Sequence, residues 1–111
     1  MNGKRAILEM GAGNDLHGGD YTKAAIRAVQ DALHHSSLSF IRTLNVNKDE
    51  LIVNVTIGVQ QPEKVDTDRV EASLPVGNVH VTAVKGGLDV PDEAVGDVAV
   101  IASAAVEVRL P

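Results

Sequence analysis

Fourteen residues near the end of the chain, Asp97 to Leu110, read as one strand: DVAVIASAAVEVRL. Val, Ile and Ala recur with a period of two, the signature of a strand with one face in a core. A strand this long exceeds the usual length, so we expect a bulge or kink near Ala102 to Ala105. It also commits the chain to a sheet, and the remaining sequence must supply its partners and its cover. Leu51 to Val59 sets Leu, Val, Val, Ile and Val against Ile, Asn, Thr and Gly, a second half-buried strand. Asn78 to Lys85 alternates Val79, Val81 and Ala83 with His80, Thr82 and Val84, and Gly86 and Gly87 close it. Arg5 to Met10 is a short first strand that stops at Gly11. Asp89 to Asp97 reads as an acidic loop.

Two helices complete the pattern. From Tyr21 to about His35, Ala25, Val29, Ala32 and Leu33 recur at helical spacing. Lys23, Arg27, Gln30, Asp31 and His34 lie on the other side. Asp20 is well placed as N-cap, because its carboxylate can accept from the free amides of the first turn. His34 and His35 sit at the negative end, and Ser36 and Ser37 break the pattern. A shorter helix starts from Asp66 as cap and runs to about Ser73, with Val70 and Leu74 as apolar contacts and Pro75 as its stop. The order strand, helix, strand, helix, strand, strand predicts a single α+β domain over residues 1–111. Its four-stranded mixed sheet carries both helices on one face. The other face would then be bare and apolar, which soluble monomers rarely tolerate. We therefore expect a homo-oligomer in which the sheets pack together.

Composition narrows the function. With one Tyr, one Phe and no Trp in 111 residues, Val, Ala, Leu and Ile must fill the core, although hydrophobic residues reach 44%. Less burial per side chain again favours stabilising contacts between subunits. The formal net charge is -5. Lys4, Arg5, Lys23 and Arg27 balance Glu9, Asp15, Asp20 and Asp31, so the acidic excess lies downstream. No dense basic face is visible, which argues against nucleic acid. The absence of cysteine excludes disulfides, thiolate metal sites and cysteine nucleophiles. The apolar run after Lys4 and Arg5 is too short for a signal peptide or a membrane span, so a cytoplasmic protein is the default.

Residues 10–23, MGAGNDLHGGDYTK, are the densest concentration of chemistry. A dinucleotide fingerprint would need a third glycine where Leu16 stands. A phosphate-cradling loop would need a lysine after the last glycine, and Asp20 follows Gly19. Asp15 and Asp20 would also repel a phosphate. Lys23 falls at about the third helical position, where the positive helix end disfavours cations. Such a setting suits a lysine base or nucleophile, or else Lys23 is simply ion-paired on a solvated face. His17, two residues after Asp15, is either a general base or metal ligand, or a backbone-bonded loop histidine. Adjacent His34 and His35 point about 100 degrees apart and cannot easily chelate one ion. Asp89, Asp92, Glu93 and Asp97 could hold a hard cation, but their spacing matches no calcium loop and a solvated acidic turn explains them. No cofactor or metal is called for. Ser103, where the last strand should kink, is either a small packing residue or a nucleophile.

Glu9 to Asp20, then Thr22-Lys23-Ala24-Ala25 and Arg27-Ala28-Val29, resemble the opening of a family of small uncharacterised bacterial proteins of about this length. Pro62 to Asp66, Gly86-Gly87-Leu88 and Ile101 to Val106 resemble it too. That resemblance carries no established activity. A more distant similarity is to one domain of the ring-opening amidohydrolases, cyanuric acid hydrolase and barbiturase. They place serine–lysine pairs from three similar domains around a pseudo-threefold axis. It implies a homotrimer with Lys23 and Ser103 at a subunit boundary, acting on a small polar, cyclic amide-like molecule. Asp15, His17 and Asp20 would orient substrate or move protons, with Gly13, Gly18, Gly19 and Arg27 helping to bind it. The Gly-Gly-Thr-Glu-type segment of those enzymes is absent, since Ala104, Ala105 and Val106 follow Ser103. The alternative is a non-catalytic oligomer that binds a small metabolite or a protein partner.

Overall fold

A computed structural model describes residues 3–34, 47–74 and 77–111. The expectations placed on His35, Ser36, Ser37 and Pro75 lie outside them. Among the described residues the fold is α+β: a five-stranded mixed sheet with two helices on one face. The strands are β1 (Arg5–Asp15), β2 (Ile52–Val59), β3 (Asn78–Lys85), β4 (Leu88–Asp92) and β5 (Asp97–Arg109). The helices are α1 (Tyr21–His34) and α2 (Thr67–Ala72). Single 3-10 turns at Lys48–Glu50 and Pro62–Lys64 precede β2 and α2.

The sheet runs β1-β5-β2-β3, with β4 also paired to β5. β5 is antiparallel to both β1 and β2, and β2 is parallel to β3. β1, β2 and β3 therefore all end at one edge of the molecule. The length of β5 comes from two successive neighbours on one side. Residues Asp97 to Ile101 pair with β4, and Ser103 to Arg109 pair with β2. The register with β1 is continuous through Ala102 to Ala105, so the expected bulge is not there. The one shift lies in β1, between Arg5 and Ile7.

The acidic stretch expected as a loop is a hairpin. β4 occupies the lane that β2 vacates, and Pro91 is tolerated because an edge strand needs no second ladder. To reach that lane from β3, the chain crosses the end of β2 at Gly86 and Gly87. A Cβ on Gly87 (φ +61) would overlap the Ile101 carbonyl oxygen and lie 2.9 Å from that of Gly58. A Cβ on Gly58 would lie 2.7 Å from Ser103 Oγ. Only small residues permit this crossing.

The core lies between sheet and helices, built from Val53, Val55, Ile57 and Val59 of β2, Val100, Ala102, Ala104, Val106 and Val108 of β5, and Val29 and Val70 of the helices. Its thinnest place is between β1 and α1. A Cβ on Gly13 would overlap the Ala28 amide nitrogen and sit 2.5 Å from the Ala24 carbonyl oxygen. One on Gly11 would overlap the Ala32 amide nitrogen and sit 2.5 Å from the Ala28 carbonyl oxygen. β1 thus continues past Met10 to Asp15, and its glycines are flat strand positions onto which an alanine stripe of α1 packs.

Candidate functional site

The converging ends of β1, β2 and β3 carry most of the polar chemistry, as expected where parallel strands deliver their following loops to one edge. Asp20 caps α1: its Oδ1 accepts from Lys23 N at 3.0 Å, and its carbonyl from Ala24 N at 3.1 Å. Its own amide donates to Asp15 Oδ2 at 2.9 Å. Asp15 is buried, and its Oδ1 faces Lys23 Nζ at 3.7 Å and Arg27 Nη1 at 3.8 Å. Arg27 also donates to the Asn14 carbonyl at 2.7 Å. Lys23 and Arg27 are thus ion-paired to one carboxylate at the start of the helix.

Gly18 and Gly19 turn the chain into α1 with φ of 89° and 61°, the left-handed region that glycine enters freely. The Gly18 amide donates to Asp97 Oδ1 at 2.8 Å, and His17 Nδ1 meets Asp97 Oδ2 at 3.1 Å. Asp97 Oδ1 also accepts from Val98 N at 2.8 Å. The amide bonds from Gly18 and Val98, then the His17 bond, hold the Asp97 carboxyl below its ordinary range. Because a carboxylate only accepts, Nδ1 of His17 carries the hydrogen; Nε2 is an acceptor in the neutral ring and a donor in the charged one. The amides of Gly18 and Asp20 are both committed to carboxylates and are not open to an oxyanion.

The remaining predicted residues are not brought to this cluster. Gly13 lies beneath α1, where the closeness that makes it glycine excludes a ligand. Ser103 is exposed on the opposite, helix-free face of the sheet, between Ala12 and Gly58. Within one chain the sheet separates it from Lys23.

One link, among Tyr21, Asp89 and Gln61, escaped the sequence reading. Tyr21, buried at the first turn of α1, donates its hydroxyl to Asp89 Oδ2 at 2.5 Å and accepts from Gln61 Nε2 at 3.0 Å. Burial, then the Asp89 bond, push the Tyr21 phenol above its ordinary value. Asp89 Oδ1 is buried and, among the described residues, has no hydrogen-bond partner. The only signal for this link was a polar tip on the chain's single tyrosine, which wants a partner when buried.

A family model described as a conserved hypothetical protein, Lin0512_fam, matches residues 5–108. The chain belongs to this family. Family membership thus extends from β1 to the penultimate residue of β5. No curated protein matches the chain. Among solved structures, it is similar to a crystal structure described as an FtsZ-like protein of unknown function, from Nostoc punctiforme. The two are 36% identical, with 99% of this chain and 98% of that one covered and a TM-score of 0.87. Among the described residues no helix is long and apolar enough to cross a membrane.

Proposed function

We propose that this family member is a self-associating, non-catalytic protein that binds small molecules at the edge where β1, β2 and β3 end. The observation that carries self-association is a sheet face that no described element covers. Leu8, Met10, Val84, Leu88 and Ile101 are all exposed there, Met10 at 66%. Isolated exposed apolar residues are ordinary, but a set drawn from four of the five strands, β1, β3, β4 and β5, marks an interface. With strands about 4.8 Å apart and a rise of about 3.3 Å, the face offers roughly 500 Å² per copy. A pair would bury roughly 1,000 Å², the lower range for a specific interface. Three copies are the number that the amidohydrolase resemblance implies.

The non-catalytic reading is supported by how the reactive groups are engaged. Lys23 is paired with Asp15, Ser103 fills the space above Gly58, and the loop amides are bonded to carboxylates. A Lys–Ser site would have to be assembled between chains. The FtsZ-like description belongs to the structural relative, and we do not extend nucleotide binding from it. Gly11 and Gly13 are covered by α1, and Asp15 and Asp20 border the helix start.

Sedimentation equilibrium of the wild type and Met10→Glu tests the reading. We expect an oligomer for the former and a folded monomer for the latter. A monomeric wild type would refute self-association. Turnover of a cyclic amide that Lys23→Ala abolishes would refute the non-catalytic assignment.

A further inference from the structure

A cleft of about 240 Å³ opens between the glycine turn and the β4–β5 hairpin. Leu16, Val90, Val95 and Val98 supply apolar walls, and His17 and Asp92 supply polar groups. Its volume falls below the roughly 300–1,000 Å³ of drug-sized sites, so it suits a smaller ligand. The cleft is not a passive gap, because one of its polar groups is held in position. Asp97 spends its two oxygens on the Gly18 amide, the Val98 amide and His17 Nδ1, which orients the imidazole and, in the neutral ring, leaves Nε2 as an acceptor. Asp92 Oδ1 takes only the Ala94 amide, at 3.2 Å, among the bonds described. Among the described residues, no lysine or arginine lines the cleft. Its field is therefore set by carboxylates, and the side-chain atoms it offers a ligand, an Asp92 oxygen and Nε2 of a neutral His17, are acceptors.

We propose that this cleft binds a small primary amine in its ammonium form, with a branched aliphatic body. The body packs against Leu16, Val90 and Val95. The ammonium donates to His17 Nε2 and is charge-matched by Asp92. A carboxylate would face repulsion from Asp92 and Asp97, and an alcohol would make the hydrogen bond without the charge. This deepens the small-molecule half of the proposed function and does not depend on self-association. Met10→Glu removes the interface and leaves the cleft residues intact.

The probes are 3-methylbutylamine, 3-methylbutanol and 3-methylbutanoate, titrated into the full chain and followed by NMR at His17 and at the Val90 and Val95 methyls. We expect saturable shifts with the amine, and affinities about tenfold or more weaker for the alcohol and the acid. Asp92→Asn keeps the acceptor for the Ala94 amide and removes the charge. It should bring the amine close to the alcohol. His17→Gln should weaken both amine and alcohol. Equal affinity for all three probes overturns the proposal, as does an unchanged amine affinity in Asp92→Asn. So does the absence of shifts at His17 and Val95 at tens of millimolar amine. Amine binding that persists in monomeric Met10→Glu supports the cleft separately from the interface.

Discussion

Gly13 looked like part of a ligand-binding loop and is a packing residue. Its Cα hydrogens face the backbone of α1, so a methyl group there must push the helix off the sheet. Gly13→Ala should destabilise the protein by about 2–3 kcal/mol, read as a fall in the urea midpoint. Gly96 (φ +66) has nothing within 4 Å of a built Cβ. Alanine there meets only the left-handed backbone penalty, about 1–2 kcal/mol. The contrast separates the two roles of glycine. Asp20 works at the same scale. Asp20→Ala removes the N-cap, leaves the Lys23 amide without its carboxylate, and should cost about 1 kcal/mol in the same assay.

Between elements, the Tyr21–Asp89 bond ties the first turn of α1 to β4, the edge strand of the hairpin. Tyr21→Phe keeps the ring and removes the donor, and Asp89 then has neither oxygen paired to the helix. We expect a loss of about 1–3 kcal/mol. Faster amide exchange should be confined to β4 and the start of β5, because few other contacts hold that arm. Exchange that rises equally through β2 and β3 would show instead that the bond supports the whole core. The hairpin was also the element hardest to read from the chain. Its first strand has five residues, alternates only twice, and contains a proline and two aspartates. Its pairing is decided by the lane that β2 leaves open beside β5, which no local pattern records. The opposite holds for β2, β3 and α2, whose alternation and Asp66 cap are local properties, and they form where those properties predict.

For the whole molecule, the open sheet face divides into an apolar half and a charged half. In the charged half Glu107 accepts from Arg109 at 2.8 Å, Asn54 at 3.1 Å and Arg5 at 2.9 Å. These bonds, that from Arg109 foremost, hold its carboxyl down to about 2 from an ordinary 4.5. A depressed carboxyl stabilises the fold fully above its unfolded value. The contribution fades as pH falls through 4.5 toward 2. Glu107→Gln should therefore flatten the acid limb of stability between about pH 5 and pH 2. It should leave the slope above that window unchanged. Thermal melts across the series measure it. An identical acid limb in both proteins would mean that the carboxylate is not engaged in solution.

From residue order alone came the strands with one buried face, the two helices with their aspartate caps, and a mixed sheet bare on one side. Each depends on interactions within a few residues, or on burying one face of an element. It also showed that the glycine stretch lacks the spacing of the nucleotide-loop motifs, because a leucine and an aspartate stand where those motifs carry a glycine and a lysine. Tertiary structure alone decided what the glycines are for, since the backbone they face belongs to a helix that the sequence does not orient. It decided that Lys23 and Ser103 lie on opposite sides of one sheet. It also joined His17 to Asp97 and Tyr21 to Asp89, partners far apart along the chain. Such pairs depend on strand order, and strand order follows from how β5 shares its length among β1, β2 and β4.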